Sequence, residues 1–275
     1  MYNKIKNVFI VITLLLSLSL FANTSEIKVL ANSSIDPLGG VHNFDCSTQE
    51  SSIPATTPRI TTGNTTYYIG TTQVTNINQN PILASFTNGV QDWCRVDYEQ
   101  TGVDGRGYGL LATPNGDIYA VFSVDGGSNN FNFGAGNGWI NSYGSGGGAK
   151  ASVISKINPT NGDPITGSFI TAKLANGNTN TAIITSIGYN PDESIELSVN
   201  SFFCPLDINK NPIDCSQFGS SPFDWRLTLN ADLTAALSSF IATQDNNDDD
   251  TNTTPPNQDQ VSTAMKTVRT GGSDF

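Results

Sequence analysis

The chain has 275 residues, 26 of them glycine, only 13% charged residues and a formal net charge of −11. Sparse, unclustered Lys and Arg exclude a nucleic-acid binder, because phosphate contacts need grouped cations. Abundant Gly, Asn, Ser and Thr pull the backbone toward turns and strands and exclude a fold built on long helices.

Residues 1–31 read as a secretion signal. Lys4 and Lys6 precede an apolar run of thirteen residues at 8–20, too short to cross a bilayer as a helix. Cleavage is expected after Ala22 or after Ala31. No Cys directly follows the run, which argues against a lipid anchor. Removing 1–31 takes away Lys4, Lys6, Lys28 and Glu26 and moves the net charge from −11 to −13. No later segment is long and apolar enough to span. The expected location is secreted, periplasmic or cell-surface.

Residues 32–57 are polar, without a sustained period, and read as an irregular lead-in. From residue 58 to 243 the chain reads as pairs of hairpins. The first round pairs 59–62 with 65–71 and 82–86 with 91–98. The second pairs 108–112 with 118–124 and 150–157 with 165–174. The third pairs 182–188 with 194–200 and 224–229 with 235–241. Asn88-Gly89, Asn115-Gly116 and Asn161-Gly162 supply the positive φ angles that tight turns between twisted strands need. In the third round Ile195, Leu197 and Val199 alternate with Ser194, Glu196 and Ser198, the pattern of a half-buried strand. The second turns of the three rounds sit near Gly89, Gly162 and Asp232, at spacings of 73 and 70 residues, which reads as a repeat with variable loops. Residues 244–275 open on an Asp/Asn run with nothing to bury and read as a disordered acidic tail.

Four cysteines follow the signal: Cys46, Cys94, Cys204 and Cys215. An even count in an exported chain reads as two disulfides. Of the possible pairings, Cys204–Cys215 closes a short loop and is preferred, which leaves Cys46–Cys94. Zinc is disfavoured, with no Cys-x-x-Cys pair and His42 as the single histidine.

Residues 93–174 resemble the bacterial SBBP-type β-propeller repeat proteins. The resemblance rests on Tyr108-Gly-Leu-Leu-Ala before a Pro-Asn-Gly-Asp turn, then Ile118-Tyr-Ala-Val, then a Gly-rich linker into Ala151-Ser-Val-Ile-Ser-Lys-Ile-Asn-Pro-Thr-Asn-Gly162. The third round departs from it: 194–197 lacks the aromatic and 227–232 lacks the lysine. The resemblance implies an all-β fold of three tandem four-stranded antiparallel propeller-like units and transfers no catalytic residue. Propeller rings have four to eight blades, so three units imply a missed blade near the N-terminus, an open stack or β-sandwich, or a homo-oligomer that closes the ring.

Candidate chemistry is modest. The 125–148 connection is long for a compact domain, and such loops are commonly functional. Asp125 with Phe131, Phe133, Trp139 and Tyr143 reads as a ligand site, because ring faces pack on sugar C–H faces. Asp207, Asn209, Asn211 and Asp214 space oxygen side chains as a Ca²⁺ loop does, although the central Gly and terminal Glu are missing. Asp245, Asn247 and Asp249 repeat that spacing in the tail. Carboxylates near turns, Asp92, Asp97, Glu99, Asp104 and Asp125, are the candidates for a glycosidase pair. His42 matches no triad motif and reads as a solvated structural residue. Gly146-Gly-Gly148 lacks the context of a phosphate loop. The expected function is an exported, non-enzymatic binding protein for a glycan or a surface protein, ahead of a carboxylate hydrolase or a structural envelope component.

Overall fold

The computed structural model describes residues 31–36, 41–126, 131–146 and 148–242. The expected signal up to residue 30 and the acidic tail lie outside the described residues. The fold is all-β. A short strand, β1 (Asn32–Ile35), precedes three antiparallel meanders of four strands each. The first is β2 (Arg59–Thr62), β3 (Thr65–Thr75), β4 (Asn78–Thr87) and β5 (Val90–Arg95). The second is β6 (Gly105–Ala112), β7 (Ile118–Val124), β8 (Ala151–Ile157) and β9 (Pro164–Ile170). A two-stranded pair, β10 (Ala172–Lys173) with β11 (Thr179–Asn180), leads into the third meander: β12 (Ala182–Tyr189), β13 (Ile195–Ser201), β14 (Phe223–Leu229) and β15 (Ala236–Ile241).

Every expected hairpin is present. The meanders do not close into a barrel, and their arrangement is sandwich-like. The second and third are also not separate sheets. Ala182 of β12 pairs in parallel with Ala151 of β8, which joins them into one nine-stranded sheet. A buried polar knot holds that junction. The Tyr108 hydroxyl lies 2.7 Å from Ser152 Oγ, the Ile184 N–H reaches both at 3.1 Å, and Ser152 donates to the Ala182 carbonyl at 2.8 Å. A buried network of this kind is worth keeping only when every member is paired.

The turns follow from their residues. Asn88 and Gly89 take successive positive φ values of 51° and 83°, as a two-residue hairpin turn requires. At the β12–β13 and β14–β15 turns of the third meander the left-handed residues are Glu193 and Leu233. Gly162 is needed twice over. Its φ is 76°, and a Cβ there would sit 2.6 Å from the Trp93 ring. The Trp93 indole donates to the Pro159 carbonyl at 2.9 Å and the Tyr98 hydroxyl to that of Gly162 at 2.7 Å, so the first meander clamps the last turn of the second. Asn115 likewise donates to Tyr189 and Glu193, locking a turn of the second meander to one of the third.

One core runs through all three meanders, from Ile69 and Leu83 through Tyr119 and Phe122 to Leu197 and Trp225. β7 is buried along its whole length, as a strand covered on both faces must be. A smaller cluster of Phe44, Ile53, Tyr68, Ile82, Ala84 and Phe86 covers the other face of the first sheet. Its covering comes from the lead-in, which is less irregular than its composition implies. β1 pairs with β6 from Asn32↔Ala112 to Ile35↔Gly109. The His42 carbonyl and the Phe44 N–H pair with Thr71, extending the edge of β3 beyond the end of β2. The Cys46–Cys94 disulfide then ties the lead-in to β5, and Cys204–Cys215 closes the loop before β14. Both bonds are the expected ones. Among the described residues no helix is long and apolar enough to cross a membrane.

Candidate binding face

The aromatic residues of the 125–148 connection do not form a ligand platform. Phe133, Trp139 and Tyr143 are all buried, with exposures of 0%, 2% and 1%, and Phe131 is half-buried against Phe133 and Phe169. Trp139 packs on Trp225, and its indole donates to the Ile208 carbonyl at 3.2 Å. The backbone takes part as well: Phe169 N–H donates to the Ile140 carbonyl at 2.9 Å and Trp139 N–H to that of Leu233 at 2.8 Å. Contact is so close that a Cβ on Gly138 would lie 1.9 Å from the Gly167 oxygen. The loop is a plug over β9 and the third meander. Its rings face inward because covering that edge removes far more apolar surface from water than display would. Asp125, on the rim, pairs with Lys150 at 3.6 Å, and burial pushes its carboxyl up.

The 207–214 loop uses its oxygens on itself. Asp207 Oδ1 accepts the Asn209 and Asn211 N–H groups at 2.9 and 2.8 Å, and Asn211 turns its amide nitrogen toward Asp207 at 3.5 Å. Asp214 accepts the Ser216 N–H at 3.0 Å. These are side-chain-capped turns, with Leu206 bridged to Pro212 across them, and the Asn211 donor points where a cation would need an acceptor. Among the described residues no cluster of three or more His, Cys, Asp or Glu forms a metal-binding group. The Asp245–Asp249 spacing lies outside the described residues.

Most of the candidate carboxylates are engaged in local hydrogen bonds. Asp92 accepts the hydroxyls of Ser85 and Thr87 at 2.9 and 2.8 Å. Asp97 is gripped by Arg95, at 2.8 Å from Nε and 2.5 Å from Nη2, and this pairing holds its carboxyl below the usual range. Asp104 caps the Gln79 N–H at 3.1 Å, and Glu99 is buried. His42 is buried rather than solvated, with Nε2 2.9 Å from Asp36. It lines an open cleft of about 490 Å³ with Ser34, Thr57 and Arg59.

A further exposed face with polar groups lies on the outer side of the third meander. Directly opposed residues of paired strands share a face. The register therefore sets three rows across the strands: Ile183, Asn200 and Asp224; Ser186, Ser198, Arg226 and Phe240; Glu196, Thr228 and Ser238. The alternate residues, Leu197, Val199, Trp225 and Leu227, are fully buried on the inner side. With strands about 4.8 Å apart, the face spans roughly 14 Å across. Arg226 lies at its middle and is held in place, donating to Ser198 Oγ at 2.7 Å and to Asp224 at 2.9 Å. Ser238 donates to Thr228 at 2.9 Å. Phe240, opposite Arg226, is 53% exposed, and Phe202, just past the end of β13, is 43% exposed. The face thus offers hydroxyls, an amide, the Asp224 and Glu196 carboxylates, one fixed guanidinium and two exposed rings.

Sequence reasoning names no site on this face. The alternation in 194–200 marks one strand as half-buried, and 223–229 carries a like alternation of buried and half-buried residues. The exposed ring of Phe240 sits in a strand whose register is shifted by a bulge at Thr228/Leu229, so strand alternation does not predict its side. No protein-family model and no curated protein matches the chain.

Proposed function

We propose that this chain is an exported, non-enzymatic binding protein that takes a neutral glycan on the outer face of its third meander. The observation that carries the reading is Phe240, an open ring directly opposite a fixed Arg226, on a face that also bears Ser, Thr and Asn side chains with Asp224 and Glu196. Hydroxyls and amides donate and accept in either direction, as sugar hydroxyls do, and an aromatic face covers the C–H side of a pyranose. Two disulfides fit an oxidising compartment, and the charged N-terminal start with its short apolar run supports secretion, to the periplasm, the cell surface or beyond. The likeness to propeller-repeat proteins belongs to the same proposal and is supported by the threefold four-stranded meander.

The test is a glycan array with the purified protein and with Phe240→Ala and Arg226→Ala. Both positions are half-exposed, so both variants should fold. A bound glycan whose affinity drops about tenfold or more in each variant, with melting temperature nearly unchanged, is the expected outcome; each lost stacking or charge-assisted contact is worth about 1–2 kcal/mol. Binding by all three proteins alike would move the site off this face. Trp139→Ala is not an informative control, because it opens the core.

A further inference from the structure

Between β5 and β6 the chain makes a tight excursion through residues 97–104 beside the start of β4. Glu99 sits inside it with 0% exposure. One carboxylate oxygen, Oε1, accepts the Thr101 N–H at 2.5 Å. The other, Oε2, is buried and has no hydrogen-bond partner. No lysine, arginine or histidine forms an ion pair with Glu99 among the described residues. A Cβ on Gly105 would meet the Glu99 side chain at 3.2 Å, so the stem of Glu99 is packed in place.

A second bare oxygen lies on the first residue of β4, which the excursion contacts. Asn78 Nδ2 points at the Thr101 carbonyl, 3.4 Å away, while Asn78 Oδ1 is buried without a partner. Asp104 closes the excursion by accepting the Gln79 N–H at 3.1 Å. Thr101 therefore bonds both the buried Glu99 carboxylate, through its N–H, and the amide nitrogen of Asn78, through its carbonyl, and Asp104 brings a second carboxylate to the neighbouring Gln79 N–H. All the open positions are acceptors. A buried acceptor without a donor costs about 1–3 kcal/mol, and more if charged, so a group that satisfies several of these oxygens at once stabilises the excursion. Oxygen-only ligand sets with two carboxylates suit a hard cation, and Ca²⁺ takes six to eight such oxygens, several from water and backbone carbonyls. The absence of His or Cys from the set disfavours zinc and copper.

We infer that Glu99, Asn78 and Asp104 hold a calcium ion that fastens the 97–104 excursion to the start of β4. The site is distinct from the 207–214 loop, whose oxygens cap their own turns, and it does not depend on the glycan reading.

The experiment is a thermal melt and a calorimetric Ca²⁺ titration of the chelator-stripped, purified protein, alongside Glu99→Gln, Asp104→Asn and Asp207→Asn. Calcium at about a hundredfold excess over Kd should raise the wild-type melting temperature by roughly 5–10 °C. Glu99→Gln preserves shape and removes the charge, so it should weaken calcium binding at least tenfold while melting near the stripped wild type. Asp104→Asn should weaken binding as well, and it carries the test if Glu99→Gln does not fold. Asp207→Asn should respond as wild type. No calcium response in the wild type, a full response in both Glu99→Gln and Asp104→Asn, or loss confined to Asp207→Asn would each overturn the assignment. The first of these would mean that Glu99 is held as a neutral acid or solvated by a trapped water.

Discussion

Asp97 shows how a single residue on this chain couples charge to fold. Its carboxylate is held below the usual range by the Arg95 guanidinium, which also pairs with Asp163 on the turn after β8. A depressed folded-state pKa contributes stability that is present above the unfolded value and lost as pH falls through the folded one. Asp45, Asp192 and Asp214 are lowered too, by hydrogen bonds from Ser47, Ser194 and Ser216, so the protein should lose stability below about pH 4. Asp97→Asn should cost about 1 kcal/mol at neutral pH, a figure reduced for the partial exposure of the pair. The gap between variant and wild type, followed by urea denaturation across pH, should close in acid; a gap that is constant with pH would show that Asp97 acts through packing alone. At this scale the sequence was only partly legible. The Asn-Gly turns and the Ile195–Val199 alternation declare themselves, because local sterics and burial dictate those residue types. The inward turn of Trp139 does not, because a displayed ring and a plugging ring have the same sequence; the difference is Trp225, 86 residues away.

Among the elements, the lead-in gains most from the structure. Its composition reads as loop because it has no period of its own. It becomes ordered by adding β1 to the free edge of β6, by lending residues 42–44 to the edge of β3, and through the Cys46–Cys94 bond. Edge coverage of this kind depends on partners more than 25 residues away and leaves no local pattern. Loop-closure entropy ranks the two disulfides. Cys46–Cys94 closes a separation of 48 residues and Cys204–Cys215 one of 11. Replacing the first pair by serine should therefore cost about 1 kcal/mol more than replacing the second, within the ~2–5 kcal/mol usual for a native bond. Guanidinium denaturation of the two double variants checks the order. Equal midpoints would mean that the lead-in holds its place without the bond.

Over the whole molecule, three meanders share one core, and two of them run into a single sheet at Ala151 and Ala182. The inner faces are used up in that packing, and so is the long loop, which plugs the assembly. The proposed binding role therefore falls on a surface the core does not need, and among the described residues the outer face of β12–β15 brings fixed polar groups and exposed rings together. Hydrogen–deuterium exchange on the purified protein, with and without the glycan that binds best, tests this most directly. Protection centred on β13, β14 and β15, with residues 131–146 unchanged, is the predicted result; protection centred on residues 131–146 with the third meander unaffected would contradict it.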